Sequence, residues 1–262
     1  MRRSGAGPEG ASRLGSVVNF DAAQAIEEMR SLCQGRVPHE PDFLFFRHLT
    51  KVRPLLVDVG ANAGQSAISF RIACPWGRVF SFEPNRIYSP VLEYLGREVF
   101  SAGDFAFMLS GCGREDGELA LILPIVDGKP YLEEASVDRA QFDKPWAVDR
   151  LRSYGRHLTF EEMSVSIIAL DPLNLAPDVC KIDAEGAEFG VLEGMIETIR
   201  THFPIFLIEN NDWNRVTPYL AQFGYEPYRY DTERDRLVPM SGVTANTFYL
   251  RPQHFDQTVR DP

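Results

Sequence analysis

The fold is decided by one stretch of sequence, Val57-Asp58-Val59-Gly60-Ala61-Asn62-Ala63-Gly64-Gln65-Ser66. An apolar strand leads there through a glycine turn into a helix, and such turns lie at the strand ends where open α/β sheets bind cofactors. A dinucleotide fingerprint would have glycine at positions 62 and 65. Because the chain has Asn62 and Gln65 there, the turn predicts a nucleotide-type ligand without a pyrophosphate cradle and disfavours a nicotinamide-dependent oxidoreductase.

Alternating strands and helices follow the turn, which is the pattern of a parallel sheet with crossover helices. The predicted strands are 54–59, 78–82, 105–109, 179–182 and 205–208, and the predicted helices are 65–73, 87–100, 187–201 and 213–223. The alternation stops between 111 and 177, where 118–125 and 164–170 have the composition of extra strands. Residues 225–230 and 247–250 are predicted to close the sheet as a hairpin.

The domain organisation predicted from these patterns is one sheet-based domain, 52–252, with an insertion at about 112–165. A Gly-, Ser- and Arg-rich stretch at 1–18 predicts a disordered tail, and residues 253–262 are predicted to form a second tail. Helical spacing of apolar residues predicts an N-terminal helical cover over 19–51, with helices at 20–33 and 42–50. The apolar face of the cover could pack on the cleft or on a second subunit, so a homodimer stays open.

The amino-acid composition limits the classes of partner and the cellular compartment that we expect for the protein. The chain has 262 residues with 27 Lys and Arg against 37 Asp and Glu, which gives a formal net charge of −10. This acidity disfavours nucleic acid and anionic membranes as partners, because both need basic surfaces. We expect no signal peptide, and no apolar run reaches the ~18 residues of a membrane span. Cysteines Cys33, Cys74, Cys112 and Cys180 form no CxxC pair, which indicates a reducing, cytoplasmic compartment.

A second landmark is Glu83, which ends the next predicted strand 23 residues after Gly60. An acid at that place can accept hydrogen bonds from both ribose hydroxyls of an adenosine. Asp58, just before the turn, suits a cationic amino group better than a phosphate. Together the two acids indicate S-adenosylmethionine, whose sulfonium and ammonium groups are positively charged.

A third landmark is more specific, namely Cys180-Lys181-Ile182-Asp183-Ala184-Glu185-Gly186-Ala187-Glu188, followed by Val191-Leu192-Glu193-Gly194. With the glycine turn and Phe82-Glu83-Pro84, it resembles the FkbM family of S-adenosylmethionine-dependent methyltransferases over about 52–251. The resemblance implies the α/β, Rossmann-like class I methyltransferase fold, with a seven-stranded, mostly parallel sheet whose last strand is antiparallel. It also implies O-methylation of a small-molecule natural product or saccharide, and cofactor contacts from Asp58, Gly60, Asn62, Gly64, Glu83 and Ser110.

Methyl transfer to a hydroxyl requires an aligned acceptor and removal of its proton. Asp183 ends the fourth parallel strand and Glu209-Asn210 the fifth, so we expect both beside the methyl donor. One hypothesis is that Asp183, Glu209 and Asn210 bind Mg²⁺, a set that resembles the magnesium site of catechol-type O-methyltransferases. The alternative is metal-free, with Asp183 contacting the methionine end of the cofactor and Glu185 serving as base or substrate ligand. Asn210 or Asn211 would then cap the next helix.

Three residues are candidates for the catalytic base, namely Asp183, Glu185 and His157, the last within an insertion that could form a lid. Glu188 follows Glu185 by one helical turn and is interpreted as a helix cap. Lys181 lies inside a strand and is expected to pair with a carboxylate.

The acceptor site is the part that the sequence defines least. Aromatic residues in and after the insertion could line a pocket for the acceptor or could simply cover the edge of the sheet, and they are Tyr131, Trp146, Tyr154 and Trp213. A non-catalytic scaffold that binds S-adenosylmethionine is a further alternative that the residues leave open.

Overall fold

A computed structural model describes residues 20–240 and 244–257 of the chain. The predicted tail at 1–18 lies outside these residues, as do residues 258–262 of the second predicted tail. The beginning of that second tail is helical. It is anchored to the domain, because His254 is buried and its Nε2 lies 2.7 Å from the carbonyl oxygen of Phe203. Among the described residues, no helix combines the length and the apolar character needed to cross a membrane.

Twelve strands and eight α-helices occur in the described part of the chain. The strands are β1 (Leu55–Val59), β2 (Arg78–Phe82), β3 (Phe105–Met108), β4 (Gly111–Cys112), β5 (Gly117–Val126), β6 (Lys129–Pro130), β7 (Leu158–Ile168), β8 (Val179–Ile182), β9 (Ile205–Glu209), β10 (Glu226–Asp231), β11 (Arg236–Pro239) and β12 (Asn246–Leu250). The helices are α1 (Ala22–Gly35), α2 (Gln65–Ala73), α3 (Ser89–Tyr94), α4 (Pro145–Tyr154), α5 (Glu188–Glu193), α6 (Ile196–His202), α7 (Trp213–Ala221) and α8 (Pro252–Gln257).

The main sheet has the strand order β11-β10-β12-β9-β8-β1-β2-β3. The five strands from β3 to β9 are parallel, and β12 lies antiparallel between β9 and β10. The predicted fold class is therefore confirmed, including the antiparallel last strand. The sheet is one strand wider than the seven predicted, because β10 pairs with β12 on one side and with β11 on the other.

The strand order places the functional edge of the sheet. The chain runs outward from β1 through β2 to β3 and then returns to β8, which pairs with the other side of β1. The carboxyl ends of β1 and β8 are thus neighbours at a point where the strand order reverses, and open α/β sheets bind ligands at such points.

Both faces of the main sheet are covered by helices, as parallel sheets require. On one face, α1, α2 and α3 pack with the 3₁₀ segment Pro41–His48. The Phe43 and Phe46 side chains of that segment are fully buried, which stabilises the fold by roughly 1.5–3 kcal/mol for each ring. On the other face, α5, α6 and α7 pack on the alternate strand residues.

Two helical predictions differ from the structure. Residues 86–99 are helical as predicted, but they end in a π-helical turn, Leu95–Val99. The helix predicted at 187–201 is two helices, α5 and α6, that meet at Gly194. The Gly194 carbonyl accepts hydrogen bonds from the N–H groups of Leu170 and Asp171, so it is turned away from the helix. A Cβ on Gly194 would lie 1.9 Å from the Gly113 carbonyl oxygen, so only glycine allows this approach.

The predicted insertion contains a second sheet with the order β4-β7-β5-β6. Its centre is a long antiparallel ribbon of β5 and β7, in register from Gly117↔Ile167 to Val126↔Leu158. One face is apolar through residues such as Leu121 and Val165, and the opposite face packs on α4 through Val126 and Leu151. The extra strands predicted at 118–125 and 164–170 are therefore partners in one ribbon.

Candidate functional site

The main pocket lies at the carboxyl ends of β1, β2 and β8, with the second sheet as its roof. It contains about 760 Å³ of empty space, including the part open to solvent. The floor residues are Val59, Gly60, Asn62, Glu83, Pro84, Asn85, Tyr88, Asp183, Ala184, Glu185 and Ala187. The roof residues are Gly111, Cys112, Leu119, Leu121, Leu132, Glu133, Ala135, Val137, Val165 and Ile167. Among these residues, the roof is mostly apolar, with Glu133 as its one acid, whereas the floor carries Glu83, Asp183 and Glu185.

The glycine turn is shaped by its contact with the end of β8. Gly60 has a φ of 80°, and a Cβ there would lie 1.7 Å from the carbonyl oxygen of Asp183. The N–H groups of Gly60 and Ala61 both donate to the Phe82 carbonyl at 3.0 Å, which fixes the turn to the end of β2. Glycine at position 60 therefore lets β1 and β8 meet at the floor of the pocket.

Glu83 is held at the end of β2 by two backbone donors. Its Oε2 accepts from the N–H of Asn62 and its Oε1 from the N–H of Asn85, each at 2.7 Å. Each oxygen keeps a second lone pair that can accept a ligand hydroxyl. Burial outweighs these hydrogen bonds and raises the pKa of Glu83 to about 7. Glu83 can thus bind a ribose diol, as its position in the sequence predicts.

Asp58 does not line the pocket. It is fully buried on β1 in register with Ser81 and Lys181, and its Oδ2 accepts from the Ser81 hydroxyl at 2.9 Å. Its Oδ1 lies 4.0 Å from the Lys181 ammonium and makes no hydrogen bond in the structure. Asp58 is therefore connected to the pocket floor through Lys181, and the cofactor contact expected for it stays a prediction.

Lys181 joins this buried row to the pocket. Its ammonium donates to Asp183 Oδ2 at 3.0 Å and to the Gly60 carbonyl at 3.2 Å. The carboxylates of Asp183 and Asp58 raise the pKa of Lys181 despite the opposing effect of burial. The expected pairing of Lys181 with a carboxylate is therefore observed, and the lysine links the glycine turn to Asp183.

Two further predicted cofactor residues lie beside the pocket. Gly64 precedes α2, and a Cβ there would lie 2.2 Å from a methyl carbon of Leu95, so the residue serves helix packing. The Ser110 hydroxyl donates to the carbonyls of Gly111 and Ser166 and so attaches β3 to the second sheet. The pocket is lined instead by the next two residues, Gly111 and Cys112.

Three acids form what we call the carboxylate cluster, namely Asp183, Glu185 and Glu209. Each offers one oxygen, and these atoms lie within 4.8 Å of one another. The cluster forms because β8 and β9 are parallel neighbours, so their carboxyl ends carry these side chains to the same edge. Asp183 and Glu185 also line the main pocket, which places the cluster at its rim.

The three acids of the carboxylate cluster differ in their pKa values. Burial raises the pKa of Asp183, but Lys181 and a hydrogen bond with Glu209 lower it by more, so its net pKa is below the ordinary value. Burial and the neighbouring Asp183 raise the pKa of Glu209 to about 10. Burial together with Asp183 and Glu188 raises the pKa of Glu185 to about 8. Protons therefore bind more tightly to Glu209 and Glu185 than to Asp183.

The structure does not bring Asn210 or His157 into this cluster. The Asn210 amide donates to the Thr247 hydroxyl at 2.6 Å and its Oδ1 accepts from the same group, so it faces β12. Glu185 takes the third position in place of Asn210. His157 lies at the opposite end of the second sheet, where its N–H donates to Asp127 at 2.9 Å.

Sequence reasoning missed several residues around the pocket. The apolar roof was not predicted, because one strand does not reveal which face of a second sheet covers a ligand. Glu40 and Asp42 of the cover were also missed, and both accept from the side chain of Asn246, the register partner of Glu209. The signal for these two was a pair of acids directly before the apolar run 43–46. Of the predicted aromatic residues, Tyr131 and Tyr154 stack on each other with ring centroids 4.3 Å apart.

The sheet order, the glycine turn and the acid at the end of β2 define the class of Rossmann-like methyltransferases that use S-adenosylmethionine. Within this class the chain belongs to the FkbM methyltransferase family, because the family model for the methyltransferase FkbM domain matches residues 58–227. The match covers more than half of the chain and confirms the predicted family. It includes the glycine turn, Glu83 and the carboxylate cluster. No curated protein sequence matches the chain.

Solved structures with a similar arrangement include three methyltransferases. The FkbM methyltransferase of Methylobacillus flagellatus is 17% identical with a TM-score of 0.48, and the alignment covers 87% of this chain. This chain spans 59% of the length of that protein. An O-methyltransferase of Thermotoga maritima is 14% identical with a TM-score of 0.38, covering 86% and 69% of the two chains. Human N-acetylserotonin methyltransferase, solved with S-adenosylmethionine, is 12% identical with a TM-score of 0.38, covering 87% and 55%.

Proposed function

We propose that the protein transfers a methyl group from S-adenosylmethionine to a hydroxyl of a small-molecule natural product or saccharide. The observation that carries the proposal is Glu185, an acid with a pKa of about 8 at the rim of the main pocket. A hydroxyl must lose its proton as it attacks, and a base works best when its pKa is near the working pH. Family membership supports the methyl transfer.

The residues of the pocket fit the cofactor. Glu83 has lone pairs free for the ribose diol, and the turn at Gly60 and Asn62 leaves backbone close to the floor. The ionised Asp183 suits the cationic methionine end. When bound, S-adenosylmethionine supplies a methyl group on a positively charged sulfur. The apolar roof, through residues such as Leu121 and Ile167, excludes water from this place.

Glu185 is the base in this proposal and Asp183 is not. Asp183 is paired with Lys181 and its pKa is lowered, so it is the weaker proton acceptor of the two. The Glu185 carboxylate accepts the hydroxyl proton, while Asp183 and Lys181 keep the floor in position. His157 lies too far along the second sheet to share this role.

The carboxylate cluster also fits a divalent cation such as Mg²⁺. Asp183, Glu185 and Glu209 are hard oxygen donors with oxygens within 4.8 Å of one another, and Mg²⁺ prefers such ligands together with water. A bound cation would lower the pKa of the acceptor hydroxyl and orient it. The metal-free alternative has Glu185 acting alone, and the two are separated by turnover with a chelator and with added Mg²⁺.

The test uses the purified chain, S-adenosylmethionine and a library of natural-product and saccharide hydroxyls, with matched amines. Wild type is expected to form S-adenosylhomocysteine and an acceptor heavier by one methyl group. Glu185→Gln should lower kcat by roughly 10²- to 10⁴-fold. Glu197→Gln, an exposed acid paired with Arg200, is the control that should keep turnover.

Three results would contradict the proposal. Methylation of amines alone would make the protein an N-methyltransferase. Binding of S-adenosylhomocysteine without turnover of any acceptor would favour a scaffold. Full turnover by Glu185→Gln would remove the proposed base.

The proposed setting is a cytoplasmic compartment, with a small-molecule or saccharide acceptor and no nucleic-acid or membrane partner. The four cysteines are free, which supports a reducing location. A homodimer belongs to the same proposal, and light scattering at several protein concentrations tests it. The apolar face of the N-terminal cover is already buried on the main sheet, so the dimer contact would use another surface.

A further inference from the structure

One buried acid, Glu188, contacts both loops that carry the carboxylate cluster. It is the first residue of α5 and is fully buried. Its Oε1 accepts from the N–H groups of Ala184 and Gly186 at 3.1 Å each. The same oxygen accepts from the side-chain amide of Asn211 at 3.3 Å. One carboxylate oxygen thus joins the loop after β8 to the loop after β9.

The loop after β8 needs such an anchor because of its backbone conformation. Glu185 has a φ of 50° and Gly186 a φ of 100°, both in the left-handed region. A glutamate in that region costs free energy, so the surrounding contacts must hold it there. Two contacts hold it there. The Glu188 carboxylate accepts from the N–H groups of Ala184 and Gly186, and the Ser136 hydroxyl donates to the Glu185 carbonyl at 2.6 Å.

Asn211 carries the same anchor to the third acid of the cluster. Its side-chain amide donates to Glu209 Oε2 at 2.8 Å as well as to Glu188. The Asn211 Oδ1 in turn accepts from Gln141 at 3.4 Å. The orientation of the Glu209 carboxylate is therefore set through Asn211 by a residue on another helix.

We propose that Glu188 is a positioning residue for methyl transfer, which holds Glu185 in its left-handed conformation and orients Glu209 through Asn211. This inference rests on the proposed function, because it assigns Glu188 a part in the chemistry of the cluster. It goes further than helix capping, since Glu188 sits below two loops from different strands. A small displacement of reacting groups lowers rates strongly, so the anchor controls turnover more than cofactor binding.

The test compares Glu188→Ala, Glu188→Gln and the control Glu193→Ala. Glu193 lies on the same helix and faces Arg114 at 3.7 Å. Glu188→Ala should lower kcat roughly 10- to 100-fold while the KM for S-adenosylmethionine stays within about two-fold. Glu188→Gln keeps an oxygen for the two N–H groups and should restore kcat to within about three-fold of wild type. Glu193→Ala should match wild type.

Amide hydrogen exchange over 183–187 gives a readout that needs no acceptor. Exchange should be faster in Glu188→Ala and unchanged in Glu188→Gln. If Glu188→Ala does not fold, Asn211→Ala tests the same connection and should lower kcat with the KM for S-adenosylmethionine unchanged. A folded Glu188→Ala with wild-type kcat, a failure of glutamine to restore kcat, or a matching rise in KM would overturn the inference.

A failure of the proposed function can be distinguished from a failure of the inference about Glu188. If wild type methylates no hydroxyl, that proposal is wrong, and hydrogen exchange alone then decides whether Glu188 anchors the loop. Unchanged exchange in Glu188→Ala would overturn the anchor regardless of turnover.

Discussion

The glycine-turn side of the main pocket and the carboxylate cluster meet at Asp183, yet they satisfy their polar groups differently. On the turn side, Glu83 is held by two backbone N–H groups, and the turn itself is fixed by the Phe82 carbonyl. In the cluster, acids face acids, and Lys181 is the cation that contacts Asp183. The first side is preorganised for a neutral diol. In the carboxylate cluster, the excess negative charge is neutralised only when the acids bind protons or a cation.

The largest effect on the carboxylate cluster is expected from Lys181→Met, which removes the cation that contacts Asp183. Asp58 and Asp183 would then lose their shared partner, and breaking a buried ion pair from one side costs about 3–5 kcal/mol of unfolding free energy. Urea unfolding at neutral pH measures the loss. Lys51→Met is the control, because Lys51 is exposed in its pair with Asp178 and should cost at most about 1 kcal/mol. Equal losses in the two variants would show that the cluster does not depend on Lys181.

The turn side is tested by Glu83→Gln. The amide can offer an oxygen to only one of the two N–H groups, so S-adenosylhomocysteine affinity should fall roughly 10- to 100-fold. Isothermal titration calorimetry measures this directly. Ser110→Ala should bind within about two-fold of wild type, because its hydroxyl serves the Ser166 carbonyl. A large loss for Ser110→Ala would restore that residue as a cofactor contact.

The charge imbalance of the cluster predicts a pH dependence of stability. The folded-state pKa values of Glu185, about 8, and Glu209, about 10, lie above their ordinary value. The folded state therefore holds protons that the unfolded chain has lost, and stability falls as pH rises from about 5 through these values. Glu209→Gln should reduce the fall between about pH 6 and about pH 9 in urea unfolding. An unchanged slope would show that Glu209 is not the proton holder.

The smallest effect is expected for His157→Gln. His157 precedes β7 by one residue, and Val165, which lines the pocket, is about 26 Å away along the extended strand. Turnover should stay within about two-fold of wild type. Loss of activity with normal stability would mean that the tip of the second sheet reaches the acceptor.

Much of the fold was predictable because buried parallel strands have a clear sequence pattern, namely short apolar runs between helical segments. The sequence also places Asp183 and Glu83, since each ends such a run. It misplaces Asn210, because the strand ends at Glu209 and the chain enters the 3₁₀ turn Asn210–Asp212, in which Asn210 faces β12 and Asn211 contacts Glu209.

Other features depend on partners distant in sequence. Asp58 lies in a buried row only because Ser81 and Lys181 are its register partners. The break between α5 and α6 depends on the loop around Gly113, which is 81 residues before Gly194. No local sequence pattern indicates such contacts, because the two partners are distant in the chain.

The contact of Gly113 with Gly194 has a consequence for engineering the protein. It fixes the second sheet at the end beside the cofactor pocket, whereas the opposite end is the turn at Asp127 and Gly128. The ribbon is thus attached to the main domain near the pocket, through this contact and through Ser136, which pairs with Ile122 of β5 and donates to the Glu185 carbonyl. Lengthening or exchanging the turn at Asp127 and Gly128 should change the surface that the protein presents there without moving the pocket. Any side chain larger than hydrogen at Gly194 would instead displace the second sheet, which forms the roof of the pocket.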